Sequence, residues 1–225
     1  VLLFGPKKTD FLTYKILCQV SNILGFDDSF CISELPFRIQ SRTMAGQFLA
    51  HIWTSITLGF VVAFPYVVYQ FWKFISPGLY ANEKKTASGF ISISSLLFFV
   101  GVLFGYYVVT PLSIRFLGTY NVSDVIFNDF DLNSYTALVR ASVLASGLIF
   151  ELPILVYFMT KIGLITPELM RKYRKIALVL VMFLSAVITP PDVASQIIVA
   201  IPVLILYELS IFISKRVVRN LNKKS

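Results

Sequence analysis

FLAHIWTSITLGFVVAFPYVVYQFWKF, residues 48–74, decides the fold class. The run is apolar and aromatic, interrupted by His51 and Pro65, and as a helix it is long enough to cross a hydrocarbon core of ~30 Å. It predicts a membrane span. The turn signal Ser76-Pro77-Gly78 closes it, and charge follows at Glu83, Lys84 and Lys85. Working outward, the same reading predicts helices over about 47–74, 88–111, 135–162, 175–188 and 193–214. Residues 1–46 read as an outside loop, and 215–225 as a cytoplasmic tail of a single membrane domain. Within the loop, Ile16, Val20, Ile23 and Leu24 repeat at helical spacing and predict a short amphipathic surface helix.

Composition agrees with these spans. With 56% hydrophobic residues, 14% charged and a mean hydropathy of +0.77, the chain lies outside the balance of a soluble domain. The net charge of +8 would suit nucleic acid, but the basic residues fall in short clusters between apolar runs. Topology explains them, and no nucleic-acid partner is expected. Lys73, Lys84 and Lys85, then Lys161, Arg171, Lys172, Arg174 and Lys175, and finally Lys215, Arg216 and Arg219 all fall on one side of the predicted spans. The opposite loops hold Arg115 and mostly aspartates, so the tail is assigned to the cytoplasm and the N-terminal loop to the outside. An outside start implies a further helix before Val1. The predicted fold is therefore an all-α polytopic membrane helix bundle with five transmembrane helices present and six in the intact protein.

Several chemistries are excluded or left open by residue type. His51 is the lone histidine, so neither a histidine-based triad nor a multi-histidine metal site can be built, and no cofactor is expected. Cys18 and Cys31 lack C-x-x-C spacing, and either one disulfide or two separate thiols fits them. Glu151 falls in the middle of a predicted span, where an ionised carboxylate is costly and a partner or a neutral form is expected. Gln196 and Arg140 are the internal partners weighed for it. Pro153 beside it removes one helical N–H, which makes the backbone polar there as well. Thr189, Asp192 and Gln196 cluster where Pro190-Pro191 enforces a turn, and interfacial polarity alone would also account for them. Glu208 reads as an interfacial anchor, and the many aromatics as belt and packing residues.

The order of motifs carries a resemblance. Phe64-Pro65-Tyr66-Val67-Val68-Tyr69-Gln70-Phe71-Trp72-Lys73-Phe74-Ile75-Ser76-Pro77-Gly78-Leu79-Tyr80, followed by Glu83, resembles the end of the second helix and the first cytoplasmic loop of the TatC family. Phe150-Glu151-Leu152-Pro153 resembles its fourth helix. Thr189-Pro190-Pro191-Asp192-Val193-Ala194-Ser195-Gln196, with Ala200-Ile201-Pro202, resembles its last outside loop and sixth helix. The match is collinear from about Phe48 to Arg216, whereas 7–42 matches less well and carries no residues over except Pro6 at its edge.

The resemblance implies a receptor and scaffold of the twin-arginine translocase, driven by the proton-motive force in the bacterial inner membrane. An organellar membrane is the less favoured location. Glu83 and Phe74 would bind the signal peptide, while Glu151, Thr189 and Gln196 would dock partner helices. Pro6, Pro65, Pro77, Pro153 and Asp192 would shape the loops and helix breaks. The implied partners are TatA- and TatB-type single-helix proteins, twin-arginine signal peptides, membrane lipids and further copies of the chain. The competing readings are a proton-coupled secondary transporter with Glu151 at its ion site and a membrane enzyme. No internal repeat favours the first, and no nucleophile–base pairing favours the second.

Overall fold

The chain alternates between long apolar helices and short polar connections, and each break falls at proline or at charge. The structure, a computed structural model, describes residues 2–8, 10–24, 37–75, 87–123, 128–190 and 192–222. A 3-10 turn, Leu2–Lys7, precedes α1 (Leu12–Leu24), and β1 (Arg38–Gln40) leads into α2 (Gly46–Ile75). Next, α3 (Ala87–Phe104) passes through a π-turn, Gly105–Val109, into α4 (Thr110–Thr119). After β2 (Asp129–Asp131) come α5 (Leu132–Phe150), α6 (Leu152–Lys161), α7 (Pro167–Lys172), α8 (Arg174–Ile188) and α9 (Val193–Asn222).

Among the described residues, four helical runs are long and apolar enough to cross a membrane: Gly46–Phe74, Ile91–Thr119, Leu132–Lys161 and Ser195–Asn220. The fifth apolar helix, α8, has 15 residues and does not reach that length. Three boundaries differ from the sequence reading. Helix continues past Pro111 to Thr119: the π-turn just before it widens the ladder, with Thr110 N–H donating to the Gly105 carbonyl, and this shifted register accommodates the proline. Helix breaks once at Glu151, between α5 and α6. The last helix runs on through Lys215, Arg216 and Arg219, and cations near a helix C-terminus favour its dipole. Pro65 does not interrupt α2, which continues through it.

Packing is closest between α3 and α5, where small residues let the backbones approach. A Cβ added to Gly101 would stand 2.7 Å from the Ser146 carbonyl oxygen, and one on Gly105 would stand 2.6 Å from that of Ser142. Phe98, fully buried, stacks on Phe64 of α2 with Val61 in the same cluster, and its ring lies against Gly147 of α5. A second unit joins α6, α8 and α9 through Val181, Ala200 and Val203, with Ile149 and Leu152 packed against them. Thr160 Oγ donates to Ser214 Oγ at 2.9 Å inside that unit. By contrast α2 leaves Phe48, Trp53, Ile56, Val62 and Phe71 exposed, as a lipid-facing surface must.

One end of the bundle carries a cap. There β1 and β2 pair in parallel, with Arg38 opposite Asp129 and Gln40 opposite Asp131. Phe37, Ile114, Tyr135 and Val139 form the core beneath the ladder. The Tyr14 hydroxyl donates to the Pro6 carbonyl at 2.9 Å and lies 3.2 Å from that of Pro111, so α1 is tied to both the 3-10 turn and α4. Burial raises the Tyr14 phenol pKa and keeps it a neutral donor. Cys18 of α1 is disulfide-bonded, while Cys31 lies outside the described residues.

Candidate partner-docking and signal-recognition sites

Glu151 stands at the break between α5 and α6. Pro153 has no N–H to offer the Ile149 carbonyl, so the ladder shortens: Glu151 N–H donates to Leu148, and Ile154 N–H to the Glu151 carbonyl. The carboxylate then turns toward α3. Ser94, 1% exposed, donates its hydroxyl to Glu151 Oε2 at 2.7 Å. Oε1 is buried and meets no hydrogen-bond donor among the described residues. A half-satisfied carboxylate inside a membrane bundle is costly, and a donor from another molecule would satisfy it.

Neither internal partner weighed from the sequence is the one found. Gln196 donates from Nε2 to the Met182 carbonyl at 2.9 Å and so ties α9 to α8. Arg140 lies about three turns away on α5 and leaves its Nη1 without a partner among the described residues. Ser94 was missed because serines are common small residues in packed membrane helices. Only the fold, which sets α3 against α5, singles it out.

Thr189 ends α8, is 4% exposed and donates back to the Ser185 carbonyl at 2.8 Å. Asp192 caps α9, accepting at Oδ2 from Ser195 N–H at 2.9 Å and from Ser195 Oγ at 2.6 Å. Thr189, Asp192 and Gln196 therefore share the turn between α8 and α9. Glu151 reaches that pair of helices through its neighbours Ile149 and Leu152, which pack on Val181 and Ala200. No hydrogen bond among those described links Glu151 directly to Thr189 or Gln196.

Of the residues expected at the signal-peptide site, Phe74 lies in the last turn of α2 and is 84% exposed. Glu83 and Pro77 lie outside the described residues. Pro6 is buried in the 3-10 turn, Pro65 lies half-buried in α2, and Pro153 is buried at the start of α6. No group of three or more metal-ligating side chains occurs among the described residues.

A family model described as Sec-independent protein translocase protein (TatC) matches residues 5–202. The chain belongs to the TatC family. It is 43% identical over 214 residues to the Sec-independent protein translocase protein TatC of Blattabacterium sp. subsp. Periplaneta americana, covering 95% of this chain and 80% of that one. Against TatC of Helicobacter pylori it is 44% identical over 163 residues, 72% of this chain and 64% of the relative. The crystal structure of a twin arginine translocase receptor, TatC, superposes with a TM-score of 0.67 at 33% identity, covering 96% of this chain and 92% of that one. A TatC chain is a non-enzymatic subunit of the twin-arginine translocase, and it works in the bacterial inner membrane. Nothing in these likenesses supports the transporter alternative.

Proposed function

We propose that this TatC chain is the receptor that reads twin-arginine signal peptides at its basic end and docks TatA- and TatB-type helices at Glu151. The observation that carries the docking half is the Glu151 carboxylate, held on one oxygen by Ser94 and left without a donor among the described residues on the other. Thr189 and Gln196 extend this polar surface along the turn between α8 and α9. The capped end, with Asp129 and Asp131, faces outward, and the tail with Lys215, Arg216 and Arg219 faces the cytoplasm. Signal peptides then meet Phe74 and Glu83 on the cytoplasmic side. Several copies assemble with these partners, and the proton-motive force drives folded cargo across.

The test is site-specific crosslinking in membranes between a photoreactive residue replacing Leu155, one turn beyond Glu151, and TatA- and TatB-type helices. Wild type should crosslink, and Glu151→Ala should crosslink more weakly at equal abundance. Equal yields would remove the docking role.

A further inference from the structure

The turn between α8 and α9 is braced within itself. Asp192 accepts at Oδ2 from the Ser195 N–H and Oγ, and its carbonyl accepts from the Gln196 N–H. Gln196 reaches the Met182 carbonyl of α8 with its side chain, and Thr189 closes the end of α8 on the Ser185 carbonyl. Fastened in this way, the turn moves as one piece. Whatever fixes that piece against the rest of the bundle decides where Thr189 and Gln196 stand.

Across from it lies α4. Leu112, Arg115, Phe116 and Thr119, three and four residues apart on one face of that helix, share a groove of about 280 Å³ with Asp192 and Ser195. This seam is open, whereas the α3–α5 seam is closed by backbone approach at Gly101 and Gly105. Opposite charges meet in it: Arg115 and Asp192, both half-buried, attract each other. Arg115 also lies close enough to Tyr14 of α1 for the two to interact electrostatically, and Tyr14 is bonded to the Pro6 and Pro111 carbonyls. The guanidinium therefore stands where the cap, α4 and the start of α9 come together. The helical run Ile91–Thr119 has 29 residues, about 43 Å, which exceeds a hydrocarbon core of ~30 Å. Arg115 is about 6 Å from the end of that run, within reach of the polar edge of the bilayer.

We propose that Arg115 is a positioning residue: through Asp192 it clasps the α8–α9 turn to α4 and the cap. An ion pair on an ordinary surface adds little, because apolar packing beneath it already fixes the geometry. Here a groove lies where that packing would be, so closure of the seam falls to the charges. The division of labour on Asp192 fits this reading. Its Oδ2 is engaged in the N-cap, which needs an acceptor and not a charge, while the attraction to Arg115 needs the charge itself. A clasp at the half-exposed edge of the membrane is also weak enough to open, which a packed seam is not. The inference concerns where the turn stands and does not depend on partners docking there.

The test is a distance measurement by pulsed electron resonance on the full-length protein in nanodiscs. Spin labels are carried on ketone-bearing residues that replace Leu117 of α4 and Val193 of α9, both exposed. Wild type should give one main distance. Arg115→Gln should raise the share of longer distances about fivefold, the scale on which a half-exposed ion pair biases an equilibrium. Asp192→Asn should do the same, since asparagine caps a helix as well as aspartate and only the charge is lost. The double variant should open no further than either single one, and Arg115→Lys, which keeps the charge, should return most of the wild-type distribution. An unchanged distribution in Arg115→Gln would overturn the proposal, and Asp192→Asn decides in the same way if Arg115→Gln does not fold. Widening that adds up in the double variant would overturn it too, because the two residues would then act through separate partners.

Discussion

Glu151 illustrates how one carboxylate can be both anchored and available. Ser94 fixes one oxygen at 2.7 Å and the proline-opened backbone fixes the helix end, so the second oxygen has a defined direction instead of a mobile one. Hydrogen bonds of this kind within membranes contribute on the order of 1 kcal/mol. Glu151→Ala should therefore lower partner crosslinking several-fold while the bundle keeps its thermal stability in detergent. Ser94→Ala should leave the carboxylate in place but unaimed, and a partial loss of crosslinking, restored by Ser94→Thr, is the expected pattern. If Ser94→Ala lost no crosslinking, the hydrogen bond would be structural only. At this scale the sequence was informative about Glu151, because a carboxylate in an apolar run is conspicuous. It was silent on Ser94, whose importance comes from a contact across helices and from no local pattern.

Among elements, α8 is the anomaly. Fifteen residues at ~1.5 Å rise give about 22 Å, short of a ~30 Å hydrocarbon core. Its Arg174 pairs with Glu208 of α9 at 2.6 Å, and Gln196 binds the Met182 carbonyl, so the helix is fastened to α9 at both levels and cannot slide to make up the difference. The bilayer should thin around α8 and α9. Depth-sensitive spin labels at Lys175 and Val187 should report a shortened crossing, and a full-thickness reading would defeat the idea. The α3–α5 seam is a second element-scale test. Gly101→Val adds atoms where the Ser146 carbonyl already limits approach, and overpacking of this type costs about 1–3 kcal/mol. A fall in melting temperature should follow, without any change in peptide specificity. Helix existence was legible from apolar runs and proline positions, since those act locally. The π-turn and the helical continuation past Pro111 were not, because both depend on how α4 sits on α5 and beneath the cap.

Taken whole, the molecule is electrically asymmetric, and that asymmetry bears on both ends. At the cap, Asp131 accepts from Arg42 N–H at 3.2 Å and from Asn133 N–H at 2.9 Å, and these bonds, the Arg42 one first, hold its carboxyl below the ordinary range. A depressed carboxylate contributes stability above its unfolded pKa of about 3.9 and loses it as pH falls toward the folded value. The protection of the Arg42 and Asn133 amides, relative to their intrinsic exchange at the same pH, should thus fall as pH drops below about 4, and unchanged protection would exclude the linkage. Elsewhere Lys73 lies in the last turn of α2, Lys161 in that of α6, Arg171 and Lys172 in that of α7, and Lys215 and Arg216 late in α9. A peptide bearing two arginines is repelled by such a field unless carboxylates are presented to it. In sequence Glu83 follows the turn signal Pro77-Gly78, and Phe74 in the last turn of α2 offers an exposed apolar surface. Glu83→Gln keeps the size and much of the hydrogen bonding while deleting the charge, and a charge-assisted bond contributes about 1.5–3 kcal/mol. In the full-length protein, affinity for a twin-arginine peptide should fall about tenfold or more, while a twin-lysine peptide, which lacks the planar fork, should change much less. Equal affinity of wild type and Glu83→Gln for the arginine peptide, measured in the same nanodiscs, would remove Glu83 from the site.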